Sequence, residues 1–239
     1  MKKYKNIVIL TGAGISAESG IKTFRAADGL WEGHRIEDVA TPRAFERDPK
    51  LVQQFYNLRR AQLLEVENGT RKVQPNAAHG ALAKLEKETA STLTLVTQNI
   101  DNLHEQAGSQ NVLHMHGEIL KMHCKKTQRI FSCEQALSVE DCCECCNEAG
   151  NLRPHIVWFE EMPLYMDKIM QCLSNCDLFV AIGTSGNVYP AAGFVQIASQ
   201  AGADTLEINL EKSNVASSFD KAIYALATET VPQWVETLI

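Results

Sequence analysis

Residues 7–17, IVILTGAGISA, contain the strongest indication of the fold. The four consecutive apolar residues of this stretch are typical of a buried parallel strand, and they run directly into a glycine-rich turn. The turn has the spacing G-x-G-x-x-G/A between a strand and a helix, where glycine lets the backbone approach a pyrophosphate closely. Alone the pattern is weak, because a tight turn without a ligand has the same glycines.

Three further apolar runs end in small polar residues in the same way. They are 93–96, 178–182 and 206–208, followed by Thr97-Gln98-Asn99, Gly183-Thr184-Ser185 and Asn209. Helical patterns lie between them at 49–66 and 77–87. Strands that alternate with helices predict an α/β fold with a Rossmann-like doubly wound parallel sheet. In such a sheet the polar strand ends meet at one edge, where ligands bind.

A dehydrogenase-type unit would need a second strand that ends in an acidic residue about 20 positions after the glycine turn. Residues 23–49 contain no strand-like run. Residues 24–31 instead predict a long loop over the crevice, and loops of this length inside a domain usually serve as functional lids.

Composition and charge exclude several classes of protein. The chain has 239 residues, 45% of them hydrophobic and 22% charged, which excludes disordered and collagen-like classes. The net charge of −6 provides no basic field, so we expect no direct nucleic-acid partner and no membrane partner. The first apolar run is too short for an export signal, which predicts a cytoplasmic protein whose thiols stay reduced.

Cysteine is distributed unevenly along the chain. None of the eight cysteines precedes Cys124, and six lie between Cys124 and Cys146. Residues 121–154 are therefore predicted to be a small inserted cysteine-rich module that holds one structural zinc ion. The Rossmann-like domain would comprise residues 1–120 and 155–239, with a helical insertion near 32–75, and a strand at 155–159 would lead the chain back into it.

The zinc ligands are ambiguous within this cluster. Residues 142–146 contain two overlapping CxxC pairs, whereas Thr127 stands where the first pair needs its second cysteine. Redox-active thiols, or a cluster without metal, remain alternatives. The candidate ligands are Cys124, Cys143 and Cys146, with Cys133 or Cys145 as the fourth.

Seven motifs in order make the chain similar to one family over essentially its whole length. It resembles the sirtuins at residues 12–21, 24–25, 97–101, 116–117, 157–159, 183–185 and 209–211. The resemblance implies an NAD-dependent protein-lysine deacylase that transfers the acyl group to ADP-ribose and releases nicotinamide. NAD would be the cofactor and acyl-lysine proteins or peptides the substrates, and we expect a monomer. A protein ADP-ribosyltransferase or NAD hydrolase that uses the same cleft is the alternative, and a non-catalytic zinc-binding module is a third reading.

The resemblance also assigns roles to residues of the cleft. His116 would be the catalytic base, a role that suits imidazole because its ordinary pKa of about 6.5 lies close to working pH. Asn99 and Asp101 would hold the nicotinamide end of NAD, and capping of the following helix is compatible with that role. The cofactor-binding residues would be Gly12, Ala13, Gly14, Ile15, Ser16, Ala17, Phe24, Arg25, Trp31, Gln98, Asn99, Ile100, Asp101, Gly183, Thr184, Ser185, Asn209, Leu210, Glu211 and Ala227.

Substrate contacts are expected from two further segments. Val157, Trp158 and Phe159 would pair with the backbone of the substrate peptide, and Glu160 stands where the family usually has glycine. Tyr56 and Arg59 lie three apart on the predicted helix 49–66 and could grip a carboxylate. Together with the resemblance to sirtuins, Tyr56 and Arg59 imply that the protein removes succinyl and malonyl groups as well as acetyl groups. Most tyrosine and arginine pairs at this spacing are instead a core ring and a solvated cation.

Overall fold

The structure is a computed structural model that describes residues 4–23 and 30–239. In chain order its strands are β1 (Asn6–Thr11), β2 (Leu30–Trp31), β3 (His34–Arg35), β4 (Val66–Glu67), β5 (Thr70–Arg71), β6 (Thr92–Thr97), β7 (Val112–His114), β8 (Gly117–Cys124), β9 (Ile130–Ser132), β10 (Leu152–Ile156), β11 (Leu178–Ile182), β12 (Asp204–Asn209) and β13 (Lys221–Tyr224). Its helices are α1 (Gly14–Ala17), α2 (Ile36–Val39), α3 (Pro42–Arg47), α4 (Pro49–Leu64), α5 (Ala77–Glu88), α6 (Leu103–Ala107), α7 (Met166–Leu173), α8 (Phe194–Gln200) and α9 (Ala227–Glu236).

A six-stranded parallel sheet forms the centre of the protein, in the order β13-β12-β11-β1-β6-β7. The order reverses at β1, since β6 and β7 lie on one side of it and β11 to β13 on the other. Such a reversal separates the loops that follow the strands and opens a crevice at their carboxyl ends. The predicted doubly wound sheet is confirmed, and the four predicted strands correspond to β1, β6, β11 and β12.

Alternation along β1 explains why helices cover both faces of the sheet. Ile7 and Ile9 pack with residues of α5 and α9, whereas Val8 and Leu10 pack with residues of α7 and α8. All four side chains are buried, so the strand is apolar at consecutive positions rather than at alternate ones.

The helices begin where their capping residues predict. Asp48 accepts a hydrogen bond at 3.0 Å from the Leu51 amide and Pro49 opens α4, so that helix starts within the predicted range. Asn76 caps α5 in the same way. The helix after the glycine turn is shorter than expected, because α1 is a single turn of four residues.

A second, antiparallel sheet in the order β10-β8-β9 carries the cysteine-rich segment. The strand predicted at 155–159 is wrong: β10 spans Leu152–Ile156. The Val157 and Phe159 amides donate to the carbonyls of His116 and Ala40 instead of to a strand. An apolar residue occurs at position 158 because the Trp158 side chain packs on the helical insertion, with its ring 5.2 Å from that of Phe45. A segment with buried apolar side chains can therefore resemble a strand in its sequence although its backbone is not paired in a sheet.

The predicted module boundaries at 121 and 154 fall inside β8 and β10, so both strands continue from one predicted unit into the other. Helices α2 to α4 and the hairpin β2-β3 lie between β1 and β6, and their core includes Phe55, Tyr56 and Trp158. Within residues 4–23 and 30–239 there is no helix of the length and hydropathy that crossing a membrane requires.

Candidate active site

The carboxyl ends of the sheet strands, the helical insertion and the turn after β10 enclose a cleft of about 830 Å³. His116 and the expected substrate residues line it together with most of the predicted cofactor residues. Ile15 is an exception, because its side chain is buried in the core beneath the sheet. Phe24 and Arg25 lie outside the described residues. The expected residues on the cleft wall are Gly12, Ala13, Gly14, Ser16, Ala17, Trp31, Gln98, Asn99, Ile100, Asp101, Gly183, Thr184, Ser185, Asn209, Leu210, Glu211 and Ala227.

The glycines after β1 pack against the glycine after β11. The Gly14 amide donates to the Gly183 carbonyl at 2.8 Å, and a Cβ on Gly14 would lie 2.6 Å from the Gly183 Cα. The amides of Gly12, Ile15 and Ser16 also donate within the chain. This leaves the Ala13 amide as the loop donor with no acceptor among the described residues. The glycines therefore first serve to bring two strand ends together.

A polar network lies at the base of the cleft. The side-chain Nδ2 of Asn99 donates to the Gly12 carbonyl and to Ser16 Oγ, each at 3.1 Å, and Ser16 Oγ donates to Asp101 Oδ2 at 3.1 Å. Asp101 Oδ1 accepts from the Leu103 amide, so the carboxylate also caps α6. Burial raises the pKa of Asp101, while these two hydrogen bonds oppose the rise. Capping and cleft lining are thus combined in one side chain.

His116 has a defined neutral tautomer. Its Nδ1 lies 3.1 Å from the Gln98 carbonyl, which can only accept, so Nδ1 carries the proton and Nε2 is the basic nitrogen. Burial lowers the pKa of His116 below 6.5, and the hydrogen bond to Gln98 opposes this shift. The imidazole is therefore neutral and ready to accept a proton at neutral pH.

Two buried histidines, His79 and His104, were not predicted from the sequence. His104 Nε2 lies 3.0 Å from Thr11 Oγ1, and its ring lies 4.9 Å from that of His79. Burial lowers the pKa of His79 to about 4 and that of His104 well below 6.5. His114 has both ring nitrogens beside acceptors, at 2.6 Å from Glu105 Oε1 and 3.2 Å from the Asn99 carbonyl. Local sequence carries no signal for such contacts, because they join residues far apart in the chain.

The opposite end of the cleft contains a phenol and a guanidinium. Tyr56 is fully buried and its hydroxyl accepts a hydrogen bond at 2.9 Å from Trp158 Nε1, which leaves the phenolic proton free to donate. The Arg59 guanidinium lies 3.4 Å above the Phe55 ring and donates to the Phe55 carbonyl. Its Nε is buried without a hydrogen-bond partner among the described residues. The pair can therefore donate to a bound anionic group.

The strand ends that would face the dinucleotide are tied together by side chains. Gln98 Nε2 donates to Thr184 Oγ1 at 3.0 Å, and Asn209 Nδ2 donates to the Thr184 carbonyl at 2.8 Å. Glu18 caps the start of α9, where its carboxylate accepts from the amide and hydroxyl of Thr228. This cap fixes Ala227, the first residue of α9, on the cleft wall.

A sequence profile of the Sir2 family, the sirtuins, matches residues 12–190, which is more than half of the chain. The chain belongs to the Sir2 family. Among its relatives, an NAD-dependent protein deacylase of Pasteurella multocida (strain Pm70) is 58% identical over 234 residues, with 98% of each chain covered. An NAD-dependent protein deacylase of Escherichia coli (strain K12) is also 58% identical, and the match covers 98% of this Sir2 chain and 82% of that protein.

Solved structures agree with this membership. A crystal structure of a Sir2 homologue in complex with NAD has a TM-score of 0.86 at 38% identity, and the match covers 98% of this Sir2 chain and 90% of that chain. The expected sirtuin fold, with its parallel sheet and its cysteine cluster, is therefore confirmed in this member of the family.

The cysteine cluster of this Sir2 chain brings four thiols together. The Sγ atoms of Cys124, Cys143, Cys145 and Cys146 all lie within 4.8 Å of one another. Cys124 and Cys146 are 3.8 Å apart, the separation of about 3.8 Å that two thiolates have when each lies about 2.3 Å from one tetrahedral zinc ion. The donor set therefore fits structural zinc by ligand type and by this distance, while the Cys143 and Cys145 sulfurs, 3.1 Å apart, would have to separate to bind one ion. Cys133 is not part of this group, and its thiol donates to the Gln135 carbonyl.

Thr127 and Cys145 explain how the cluster has four sulfurs despite its defective first pair. Thr127 Oγ1 lies 2.8 Å from Cys145 Sγ, so the extra thiol of the second half lies beside the position that the first half leaves without one. Sequence spacing left Cys133 and Cys145 as alternatives, and the tertiary contact favours Cys145.

Proposed function

We propose that the protein is an NAD-dependent protein-lysine deacylase. The observation that carries the proposal is the neutral His116 imidazole, with its basic Nε2, on the wall of a cleft built from the strand-end residues of a Sir2 fold. Bound NAD supplies the ADP-ribose that receives the acyl group as nicotinamide leaves. A cleft of about 830 Å³ lies within the size range of cofactor sites.

In this proposal the residues of the cleft divide the work. His116 Nε2 accepts the proton of a ribose hydroxyl, while the Gln98 carbonyl holds the ring by its Nδ1 proton. Asn99, Ser16 and Asp101 orient the nicotinamide end through their mutual hydrogen bonds. The Ala13 amide donates to a phosphate, and Asn209 lies at the adenosine end of the cleft.

The acyl-lysine protein or peptide would lie along residues 157–159. These residues line the cleft. Because the Val157 amide donates to the His116 carbonyl and the Phe159 amide to the Ala40 carbonyl, a substrate peptide would pair through carbonyl groups of this segment. Backbone pairing with an extended peptide binds many sequences alike.

The acyl end of the cleft supports activity on acidic acyl groups as well as acetyl. Tyr56 and Arg59 have donors left for a carboxylate, and both line the cleft. A succinyl or malonyl carboxylate would accept from the phenol and the guanidinium, whereas an acetyl group has no atom to occupy that position.

Zinc held by the four clustered thiols would have a structural role. Cysteines that are not paired in disulfides fit a reducing compartment such as the cytoplasm.

Product analysis tests the proposed reaction. The protein is incubated with NAD and either an acetyl-lysine or a succinyl-lysine peptide, and the products are identified by mass spectrometry, with His116→Tyr as the inactive control. We expect O-acyl-ADP-ribose, nicotinamide and free lysine peptide in equal amounts. ADP-ribosylated protein, or free ADP-ribose without deacylated peptide, would instead indicate a transferase or an NAD hydrolase.

Matched variants test the acyl selectivity. Arg59→Met should lower kcat/KM for the succinyl peptide about tenfold or more, since a charge-assisted hydrogen bond contributes about 1.5–3 kcal/mol, and leave the acetyl peptide nearly unchanged. Tyr56→Phe keeps the buried ring and removes only the hydroxyl, so it should show the same selective loss to a smaller degree. Equal losses on the two peptides would contradict the assignment.

A further inference from the structure

Glu160 has a backbone conformation that glycine adopts far more easily. Its φ angle is +76°, in the left-handed region that costs a residue with a Cβ about 1–2 kcal/mol. The turn around it is rigid, because the Glu161 amide donates to the Trp158 carbonyl and the Trp158 amide donates back to Glu161 Oε2. An outlier held by a rigid turn beside a cleft is a reason to look for a functional side chain.

The Glu160 carboxylate is free to meet a substrate. Its one ion-pair partner among the described residues is Arg43, whose Nε lies 3.6 Å away, beyond good hydrogen-bond distance. The Glu160 side chain is 50% exposed and that of Arg43 81% exposed, so the pair is a loose surface contact. The neighbouring Glu161 differs, because both of its oxygens are engaged by the Arg153 guanidinium.

Glu160 lies close to the proposed path of the substrate peptide. It lines the cleft and directly follows residues 157–159, along which the substrate peptide would lie. We infer that Glu160 is a specificity-determining residue that favours substrates with a lysine or arginine within two residues of the acyl-lysine. The inference rests on the proposed deacylase function and adds a side-chain preference to it.

The charges around Glu160 determine which flanking residues it favours and by how much. A carboxylate in a half-exposed position attracts a nearby cation and repels an anion, and such contacts change affinity by about fivefold at most per pair. Arg43 competes with a substrate cation for the same carboxylate, so its removal should strengthen the preference. The effect should weaken at high salt, since exposed charges are screened.

The test compares kcat/KM on acetyl-lysine peptides that differ in one flanking residue. The full-length protein and NAD are used with peptides that carry arginine, glutamine or glutamate at each of the two positions before and after the acyl-lysine. We expect one position at which arginine is preferred over glutamate by about fivefold. Glu160→Gln should remove the preference and Glu160→Lys should reverse it, with backbone strain unchanged because both substituted residues also carry a Cβ.

Two further variants control for general charge effects. Glu46→Gln removes the same charge from an exposed residue of α3 outside the cleft wall and should leave the preference intact. Arg43→Gln should increase it. Equal kcat/KM on all peptides, or a preference that survives Glu160→Gln, would overturn the inference while the deacylase proposal stands. Absence of turnover on every peptide would overturn both.

Discussion

At the scale of single residues, the chemistry of the cleft depends on which nitrogen of His116 is basic. The Gln98 carbonyl takes the proton of Nδ1, and burial disfavours the imidazolium. His114, two residues earlier, has the opposite character. Burial alone would lower the pKa of His114, but the hydrogen bond and charge of Glu105 outweigh it and raise that pKa. The pKa values of two nearby imidazoles are therefore shifted in opposite directions because their partners differ.

The pH dependence of turnover tests the state of His116. Burial lowers its pKa below 6.5, so the neutral base should predominate at pH 7, and its fraction should fall as the pH drops through that pKa. We expect kcat/KM on the acetyl peptide to be flat near neutral pH and to decline on the acidic side. A decline that begins above pH 7 would mean that His116 is not the titrating base.

The stability of a Glu105→Gln variant tests the His114 pair. Because the folded pKa of His114 exceeds 6.5, the stabilisation is complete below the unfolded pKa and is lost as pH rises through the folded pKa. The variant should therefore lose about 1 kcal/mol of unfolding free energy at pH 6 and less at pH 8. Urea unfolding at both values measures this, with Glu46→Gln as the control. A loss that does not change with pH would exclude a charged His114.

At the scale of elements, the glycine turn couples β1 to β11. Gly183 has φ +64°, and a Cβ there would lie 2.5 Å from the Ile15 amide nitrogen. The two strand ends can approach this closely only without side chains at the contact. The turn thus fixes the distance between the loops that follow β1 and β11.

Two glycine variants separate this contact from a general effect of alanine. Gly183→Ala should lose about 2 kcal/mol or more of unfolding free energy, because backbone must move to admit the Cβ. Gly80→Ala places a Cβ in open space at an exposed position of α5 and should raise the unfolding free energy by about 0.5–1 kcal/mol. Urea unfolding measures both. A Gly183→Ala variant as stable as the wild type would show that the loops are not tightly packed.

At the scale of the whole molecule, the cysteine cluster ties together segments distant in sequence. Cys124 ends β8, while Cys143, Cys145 and Cys146 lie in the segment that leads to β10. A zinc ion there would cross-link the antiparallel sheet near its end. The same sheet continues into the turn that carries residues 157–159, so the cysteine cluster and the proposed substrate-binding segment are joined by one sheet.

Zinc content and thermal unfolding test the four-thiol site. Cys145→Ser should lower bound zinc below one per chain and lower the unfolding temperature, while Cys133→Ser should leave zinc content unchanged. Adding Thr127→Cys to Cys145→Ser should restore zinc, since Thr127 Oγ1 lies beside the lost sulfur. Full zinc in Cys145→Ser, measured by elemental analysis, would contradict the ligand set.

Local residue patterns were enough to predict the parallel sheet, the position of the glycine turn and the residue types at the strand ends. Apolar periodicity reports burial directly, and residues that follow parallel strands must meet at one edge. Burial also produced the error at 155–159, where Trp158 is buried without a strand.

Four features could not be predicted from local patterns. They are the tautomer of His116, the choice of Cys145 over Cys133, the available donors of Tyr56 and Arg59, and the left-handed backbone of Glu160. Each of these depends on partners far apart in the chain or on backbone angles. Local sequence patterns indicate which residues are buried. Their hydrogen-bond partners come within reach only when the chain folds.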